Sequence, residues 1–305
     1  MSRIVTFSAY GGPEVLETSE VEPPDAGAGR VRVHVRAAGV SPFDVTFRRG
    51  GAASWKPAVF PQTLGNEIAG MVDLVGDDVT AWTVGDEVLG WVPFTGYADH
   101  AVVRADHLVA KPAGMPWDEA GVLTASGQTA ATALADLAVT EGETLLVHAA
   151  AGGVGSYAVQ LGVAYGATVV GTASERNHDY LRELGVIPVT YGDGLADRVR
   201  AAAPEGVDAA LDAAGTEEAL RVSVELVADR DRVGTLVDPE AAKRLGVRAL
   251  DTRRSTAKLA GLVELYEQGR LRVAVSRTYR LDQAAEAHRA LETGHVRGKV
   301  VLLPD

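Results

Sequence analysis

The sequence predicts an α/β protein with one β-rich domain and one domain built on a doubly wound parallel sheet. Short strand-like segments separated by Gly, Pro and Asp turns fill residues 1–115, whereas Ala-rich helical stretches alternate with short apolar runs from about Pro116 onward. Strands that alternate with helices form a parallel sheet that is covered on both faces. The length of 305 residues also exceeds what one hydrophobic core usually supports, so we expect two domains.

The composition excludes several classes of protein. Hydrophobic residues make up 47% of the chain and charged residues 23%, which is typical of a globular protein rather than a disordered one. A net charge of −12 repels phosphate backbones and anionic membrane surfaces, so we expect no nucleic-acid partner and no membrane partner. The absence of cysteine excludes disulfides, thiolate nucleophiles and cysteine-based zinc sites.

Two segments bear on localisation. The N-terminal residues carry one early Arg and no apolar core segment, so they match neither a secretory signal nor a transit peptide, and we expect a cytoplasmic protein. Residues 144–174 contain no Asp, Glu, Lys or Arg, yet six glycines interrupt them. A strand–loop–helix–strand unit explains this stretch better than a membrane span does.

The most specific motif is the glycine-rich loop in TLLVHAAAGGVGSYAVQLG. A predicted strand, 145–148, enters the loop, and a predicted helix leads from it to a second strand, 168–171. When the loop is aligned with the dinucleotide fingerprint G-x-G-x-x-G, its three positions are Ala150, Gly152 and Gly155. The first glycine of the fingerprint is therefore replaced by alanine.

The loop residues have physical reasons to hold a pyrophosphate. Gly152 allows the backbone to approach the ligand, Gly155 allows the helix to pack closely on the strand, and the exposed amides at the helix N-terminus favour an anion. We therefore predict cofactor binding by Ala150, Gly152, Gly153, Val154 and Gly155. The alternative is a tight strand-to-helix turn that binds no ligand.

The end of the second strand favours NADP(H) over NAD(H). An NAD-binding fold places a carboxylate there to bind the ribose 2′-hydroxyl, but this strand ends in Gly-Thr-Ala-Ser. Ser174 and Arg176 follow instead, and an arginine beside a hydroxyl suits a 2′-phosphate. Glu175 is expected to be exposed. Tyr191 lies along the adenosine phosphate edge in one interpretation and is a core aromatic residue in the other.

Five segments together resemble a known family from end to end. They are AYGGPEVLE, AAGVSPFDVTFRRG, LGNEIAGMVDLVGDDVTAWTVGDEV, AAAGGVG and HVRGKVVL. The chain is similar to the medium-chain dehydrogenases/reductases, and specifically to the zinc-independent quinone oxidoreductase branch that includes zeta-crystallin. This resemblance implies a GroES-like β-rich catalytic domain at 1–116, completed by 257–305, and an NADP-binding Rossmann domain at 117–256.

The resemblance also implies a metal-free site. Zinc-dependent members of the family carry cysteine where this chain has Ser41 and histidine where it has Asn66, and these two replacements are weak zinc ligands. The chain also departs from its own branch. Ser41 replaces a common Asn, Thr46 stands where a Tyr is frequent, and Pro42 stands where enoyl reductases often have a Tyr.

The activity implied by the resemblance is hydride transfer from NADPH to a quinone or an α,β-unsaturated carbonyl compound, including the enoyl substrates of an enoyl reductase. Conjugation spreads the developing charge in such acceptors, so they need only positioning and a hydrogen-bond donor. Ser41, Thr46 and Asn66 are the predicted donors, with turn capping as the alternative role. Asp44 and Glu67 are expected to form internal hydrogen bonds or salt bridges rather than to act as proton donors.

Several further residues are predicted to contact the ligands. Thr129 matches a family segment that touches the nicotinamide ribose, and Arg297 and Lys299 add positive charge at the phosphate, unless they form a solvated basic turn. Five aromatic residues are candidates for an apolar wall against a flat ring, and we expect two of them to serve substrate while the rest pack in the core: Trp55, Phe60, Trp91, Phe94 and Tyr97.

Two expectations concern function and assembly. The alternative to an enzyme is a non-catalytic, NADPH-binding protein of the zeta-crystallin type, which the missing tyrosine and the Asn-to-Ser change favour. A homodimer is also expected, because members of this branch often extend the Rossmann sheet from edge to edge. The TLV segment near residue 235 is the predicted edge strand.

Overall fold

A computed structural model describes residues 1–304 and divides the chain into two compact units. The β-rich unit comprises residues 1–125, 255–264 and the chain from 273 onward, and the parallel-sheet unit comprises 126–254 and 265–272. The division after Ala125 falls inside one helix, Trp117–Asp136.

Strands predominate up to residue 110, and helices and strands alternate after it. The strands are β1 (Ser2–Phe7), β2 (Glu17–Val21), β3 (Arg30–Val40), β4 (Gln62–Thr63), β5 (Glu67–Val75), β6 (Glu87–Trp91), β7 (His100–Arg104), β8 (Leu108–Ala110), β9 (Thr144–His148), β10 (Thr168–Thr172), β11 (Ile187–Val189), β12 (Ala209–Asp212), β13 (Val233–Thr235), β14 (Arg248–Ala249), β15 (Val275–Arg280) and β16 (Lys299–Leu303). The helices are α1 (Pro42–Arg48), α2 (Trp117–Asp136), α3 (Gly155–Ala164), α4 (His178–Glu183), α5 (Leu195–Ala202), α6 (Glu217–Leu226), α7 (Pro239–Leu245), α8 (Thr256–Glu267) and α9 (Ala284–Glu292).

The β-rich unit contains two sheets. Strands β2, β1 and β4 form a small antiparallel sheet, and the larger sheet has the order β15–β16–β3–β5–β6–β8, with β7 also paired to β3. Alternate residues of β3, namely Val31, Val33 and Val35, are fully buried, which is the period-two pattern of a strand with one face on a core. These valines share one core with Phe47 of α1 and Leu64.

The parallel-sheet unit has the doubly wound Rossmann topology that the alternating pattern predicts. Its six strands are all parallel and lie in the order β11–β10–β9–β12–β13–β14, which is 3-2-1-4-5-6 in chain order. The order reverses between β9 and β12, and ligands of such sheets bind outside the carboxyl ends of the strands at that point. The glycine-rich loop follows β9 there.

The strand predicted to form the edge of the Rossmann sheet is not its edge strand. Residues 233–235 form β13, but this strand pairs with β12 on one side and with β14 on the other. The free edge of the sheet at this end is therefore β14, Arg248–Ala249. The two-residue β14 has neither the length nor the apolar alternation that identifies a strand in a sequence, so the sequence pattern places the edge one strand too early.

The charge-free stretch at 144–174 folds as predicted. It contains β9, the loop, α3 and β10, so it is one β-strand–helix–β-strand unit. Among residues 1–304, the helices are all too short or too polar to cross a bilayer.

Candidate active site

The glycine-rich loop starts from a single unusual residue. Ala149 follows β9 and has φ of 55°, a left-handed conformation that a residue with a Cβ rarely adopts. Its carbonyl oxygen accepts a hydrogen bond from the Gly152 amide at 2.9 Å, which closes the turn. The tight turn that the fingerprint assigns to its first glycine therefore lies at Ala149, one residue before the predicted position.

The two glycines of the loop have different roles. A Cβ on Gly155 would lie 2.1 Å from the Ala149 carbonyl oxygen, so only glycine allows α3 to close against the turn. A Cβ on Gly152 would meet only Ala149, with its oxygen at 3.1 Å, and would otherwise project into open space. The face of the loop at Gly152 is therefore open to a ligand.

The amide groups at the start of α3 face no protein cap. Val154 precedes the helix without a side-chain cap, and within residues 1–304 the structure shows no protein acceptor for the amides of Gly153, Val154 and Gly155. Helix N-termini with uncapped amides attract anions through hydrogen bonds and the helix dipole. The loop thus fits the pyrophosphate of a dinucleotide.

Ala150 supports the loop from inside. Its side chain is fully buried against the strands, and its amide donates to the Thr172 carbonyl oxygen at 3.0 Å. A Cβ on Gly171 would lie 2.7 Å from the Ala150 Cβ, so the two residues pack face to face. Ala150 therefore holds the loop on the sheet and does not present its side chain to a ligand, which differs from the direct contact predicted.

The residues predicted to bind the 2′-phosphate follow β10, the neighbour of β9. Arg176 and Glu175 are exposed in one 3₁₀ turn, and Ser174 precedes the turn half-buried, with its Oγ 3.3 Å from the donating Asn177 Nδ2. Tyr191 is 54% exposed, so its interpretation as a core aromatic residue is wrong. An exposed guanidinium beside a hydroxyl suits a phosphate.

Three more residues are predicted to contact the cofactor, namely Thr129, Arg297 and Lys299. The Thr129 hydroxyl lies 2.8 Å from the Thr252 hydroxyl, and Arg297 is exposed. Lys299 is buried, with its Nζ 2.9 Å from the buried Glu67 Oε1, and Glu67 Oε2 accepts from the Ala125 amide at 2.6 Å. Lys299 therefore neutralises Glu67 rather than adding charge at a phosphate, because a buried carboxylate needs a paired cation.

A second polar cluster lies in the β-rich unit, around Asp44. One carboxylate oxygen accepts from the Ser41 hydroxyl at 2.6 Å and the Ser41 amide at 2.9 Å, and the other accepts from Asn66 Nδ2 at 3.0 Å and the Gly65 amide at 3.1 Å. Burial raises the pKa of Asp44, while the hydrogen bonds from Ser41 and Gly65 oppose that rise. Asp44 therefore brings Ser41 and Asn66 together.

This cluster also caps a helix. Ser41 is the N-cap of α1 and accepts from the Asp44 amide at 3.3 Å, while Asp44 accepts from the Ser41 amide, which makes a capping box. Asp44 and Glu67 are thus internal hydrogen-bonding and salt-bridge residues, as expected from the sequence.

Thr46 does not join this cluster. It lies two residues after Asp44 in α1, roughly 200° further around the helix, and it is exposed where Asp44 is buried. Thr46 therefore remains a predicted donor to the acceptor, but its side chain lies on a different side of α1 from Asp44.

The aromatic candidates separate by exposure. Tyr97 is fully buried and Phe94 nearly so, whereas Trp55 is 67% exposed and Phe60 41%. The Trp55 ring lies 6.1 Å from the Phe43 ring, and Phe43 follows Ser41 by two residues in the chain. Trp55 is thus the exposed end of an aromatic cluster that begins beside the Ser41–Asp44 cap.

The donor set does not suit zinc. Ser41 and Asn66 both donate to Asp44 through neutral groups that bind zinc weakly compared with thiolate and imidazole. Within residues 1–304 there is no group of three or more His, Asp or Glu side chains placed to hold a metal ion.

Two buried residues next to the loop have partners that the sequence does not reveal. His148 ends β9 and Thr172 ends β10, and the two side chains meet at 3.2 Å under the turn at Ala149. The position of His148 immediately before the loop is the only signal in the sequence. Its partners come from other strands and helices, which local spacing does not bring together.

The fold and the loop define a two-domain, dinucleotide-binding oxidoreductase. The model "Alcohol dehydrogenase GroES-like domain" matches residues 27–139 and the model "Zinc-binding dehydrogenase" matches residues 185–302. The quinone oxidoreductase of Pseudomonas aeruginosa is 31% identical over 329 residues, which cover 100% of both chains. The chain therefore belongs to the medium-chain dehydrogenase/reductase family, in its quinone oxidoreductase branch.

Solved structures agree with this membership. Escherichia coli quinone oxidoreductase, solved in complex with NADPH, is 25% identical with a TM-score of 0.88, covering 99% of this chain and 100% of that one. The CurK enoyl reductase is 26% identical, also with a TM-score of 0.88, covering 99% of each chain.

Proposed function

We propose that this protein is a metal-free reductase that uses NADPH to reduce a quinone or an α,β-unsaturated carbonyl compound. The observation that carries the proposal is the loop after β9, with its uncapped amides and its open face at Gly152. The exposed Arg176 at the end of the neighbouring strand supports NADPH over NADH. The similarity to quinone oxidoreductases, one of them solved with NADPH, supports the same cofactor and the same reaction class.

The proposed roles follow from the contacts. Bound NADPH supplies the hydride, the loop amides hold its pyrophosphate, and Arg176 with Ser174 holds its 2′-phosphate. Ser41 gives its one hydroxyl proton to Asp44, and Asn66 Nδ2, a neutral amide donor, also bonds to Asp44. We assign Asn66, which Asp44 holds beside the start of α1, as the donor to the acceptor's carbonyl oxygen and Ser41 as the residue that holds Asp44.

An enoyl thioester is the second candidate acceptor. The similarity to the CurK enoyl reductase favours it, and its conjugated carbonyl makes the same demand on a neutral donor as an enone does. In either case the exposed Trp55 ring offers a flat apolar surface for the acceptor. A cytoplasmic location and a homodimer remain predictions from the sequence and the resemblance.

The experiment is NADPH oxidation in buffer with a chelator, followed by the loss of NADPH absorbance, against quinones, enones and enoyl thioesters, with NADH in parallel. We expect turnover with NADPH and one class of acceptor. Tight NADPH binding without turnover on any acceptor would contradict the proposal and favour the non-catalytic NADPH-binding alternative. Activity that disappears with the chelator and returns with zinc would contradict the metal-free assignment.

The cofactor assignment makes a prediction for Arg176. The Arg176→Ala change removes a charge-assisted hydrogen bond to the 2′-phosphate, so the Kd for NADPH should rise about tenfold or more while the Kd for NADH stays within about twofold. Fluorescence titration of both nucleotides measures the two constants. The matched control is Arg182→Ala, an exposed arginine in α4 that pairs with Asp179. Equal loss for NADPH and NADH would show that Arg176 does not bind the 2′-phosphate.

A further inference from the structure

A buried histidine lies directly beneath the cofactor loop. His148 ends β9, is 1% exposed, and has both ring nitrogens within hydrogen-bond distance of hydroxyl groups. Nδ1 lies 3.2 Å from Thr172 Oγ1 at the end of β10, and Nε2 lies 3.0 Å from Ser223 Oγ in α6. No role described above uses this side chain.

The neighbouring groups determine the direction of each hydrogen bond. Ser223 Oγ donates its only proton to the Ala219 carbonyl oxygen at 2.8 Å, so it must accept from His148 Nε2. Nδ1 is then the unprotonated nitrogen and accepts from the Thr172 hydroxyl. Thr172 Oγ1 in turn accepts from the Ala149 amide at 3.3 Å. The chain of bonds therefore runs from the loop amide through Thr172, His148 and Ser223 into α6.

This chain of bonds requires a neutral imidazole with its proton on Nε2. A protonated ring would donate from both nitrogens, and Thr172 could then no longer give its proton to Nδ1. Burial lowers the pKa of His148 to about 4, and the negative charge of Asp212 offsets only part of this lowering. The ring is therefore neutral at pH 7.

Thr172 fixes two successive amides of the loop. Its hydroxyl accepts from the amide of Ala149, and its carbonyl oxygen accepts from the amide of Ala150 at 3.0 Å. Ala149 is the left-handed residue, and its carbonyl oxygen lies against Gly155 and accepts from Gly152. This turn sets the direction of the uncapped amides at the start of α3. A strained turn persists only where the surrounding structure stabilises it.

We propose that His148, Thr172 and Ser223 form a positioning relay that holds Ala149 in its left-handed conformation and so aims the loop amides at the dinucleotide pyrophosphate. The inference rests on the proposed function, since it concerns the site at which NADPH binds. The three residues act through the backbone and do not touch the cofactor themselves.

Thr172→Val tests the relay, because valine keeps the shape of threonine and removes the hydroxyl. We expect the Kd for NADPH, measured by fluorescence titration, to rise about tenfold, with kcat at saturating NADPH and the KM for the acceptor within about twofold of the parent values. Thr172→Ser restores the hydroxyl and should return the Kd to within about twofold. The matched control is Thr168→Val, an exposed threonine at the start of the same strand, which should leave the Kd unchanged.

Two measurements on the protein without nucleotide complete the test. Long-range ¹H–¹⁵N NMR spectra should show His148 as the Nε2–H tautomer at pH 7, and hydrogen exchange of the Ala149 amide should be faster in Thr172→Val than in Thr168→Val. Ser223→Ala, which removes only the far acceptor, should raise the Kd less than Thr172→Val does. It also provides the binding test if Thr172→Val does not fold.

The outcomes separate the relay from the proposed function. If the parent protein binds NADPH and a folded Thr172→Val binds it equally well, the relay is wrong and the proposed function stands. A His148 proton on Nδ1 would also overturn the relay. If the parent protein shows no saturable NADPH binding, the proposed function fails and the relay fails with it.

Discussion

At the scale of single residues, three positions of the cofactor loop have different roles. Ala149 adopts a left-handed backbone, and the Cβ position of Gly155 is occupied by the Ala149 carbonyl oxygen. A Cβ on Gly152 would meet only Ala149, with its carbonyl oxygen at 3.1 Å, and would otherwise project into open space. The first two positions thus serve the turn and its packing, while the third serves the ligand. A fingerprint that counts glycines does not separate these functions.

Gly155→Ala should destabilise the protein. The added Cβ would lie 2.1 Å from a backbone oxygen that cannot rotate away, so we expect a loss of about 1–3 kcal/mol in the free energy of unfolding. Gly261→Ala in α8 is the matched control. A Cβ there meets no atom within 4 Å, so helix propensity should stabilise that variant by roughly 0.5–1 kcal/mol. Urea unfolding of both variants measures the changes, and a neutral Gly155→Ala would contradict the packing role.

At the scale of elements, the N-terminus of α1 organises the donor site. The same Asp44 carboxylate that completes the capping box of α1 also accepts from Gly65 and Asn66, which lead into β5. Helix capping and site assembly are therefore one structural feature. The Ser41–Asp44 spacing is readable as a cap in the sequence, but the bonds to Gly65 and Asn66 require the fold to bring β5 beside α1.

Asp44→Asn should impair catalysis without weakening cofactor binding. Each carboxylate oxygen accepts from two donors, and an amide nitrogen at either position would face donors instead of accepting from them. We expect kcat/KM for the acceptor to fall about tenfold or more, with the Kd for NADPH within about twofold, because Asp44 belongs to the β-rich unit.

The control for this prediction is Asp78→Asn. Asp78 is a residue of the same unit with φ of 64°, a conformation that asparagine tolerates well, and its side chain is exposed. Steady-state kinetics and NADPH titration of both variants are the measurements. Unchanged kcat/KM in a folded Asp44→Asn variant would show that the Asp44 cluster is not part of the acceptor site.

At the scale of the whole molecule, two buried histidines make stability depend on pH. Burial lowers the pKa of His148 to about 4, and burial together with the neighbouring Arg48 lowers the pKa of His288 to about 3. His288 Nδ1 lies 3.1 Å from Arg48 Nη1, which can only donate, and its Nε2 lies 3.1 Å from the Tyr97 hydroxyl. Both rings are neutral in the folded state at pH 7.

The protein should lose stability as the pH falls from about 6.5 to 4. The unfolded chain binds protons at these histidines near pH 6.5, whereas the folded chain does not until about pH 4 and pH 3, so the unfolded state binds more protons in this window. The loss by pH 4 is on the order of 3 kcal/mol per histidine. The raised pKa of Asp44 acts in the opposite sense, because its protonation favours the folded state.

Unfolding free energies from urea titrations between pH 4 and 8 measure this dependence. In His288→Gln the slope against pH should be smaller by about one proton, whereas His295→Gln, at an exposed histidine, should keep the parent slope. A parent protein equally stable at pH 7 and pH 4.5 would contradict the prediction.

Much of the fold could be predicted because its signals are local. The alternation of strands and helices predicted the parallel sheet, and the loop between β9 and α3 was located from its spacing. The sheet edge was misplaced, since a two-residue strand carries no local signal. The choice between a loop that binds a pyrophosphate and a tight turn that binds no ligand depends on the backbone geometry at Ala149, which the sequence does not show.

The sequence by itself determined the family, through the resemblance of five of its segments, and it determined the parallel sheet and the position of the loop, because period, spacing and residue type specify these two features along the chain. Only the tertiary structure decided that Lys299 neutralises Glu67 and which partners His148 meets. These partners come from distant parts of the chain, and a buried charge or hydroxyl is assigned its role by whatever group folding places within about 3 Å of it.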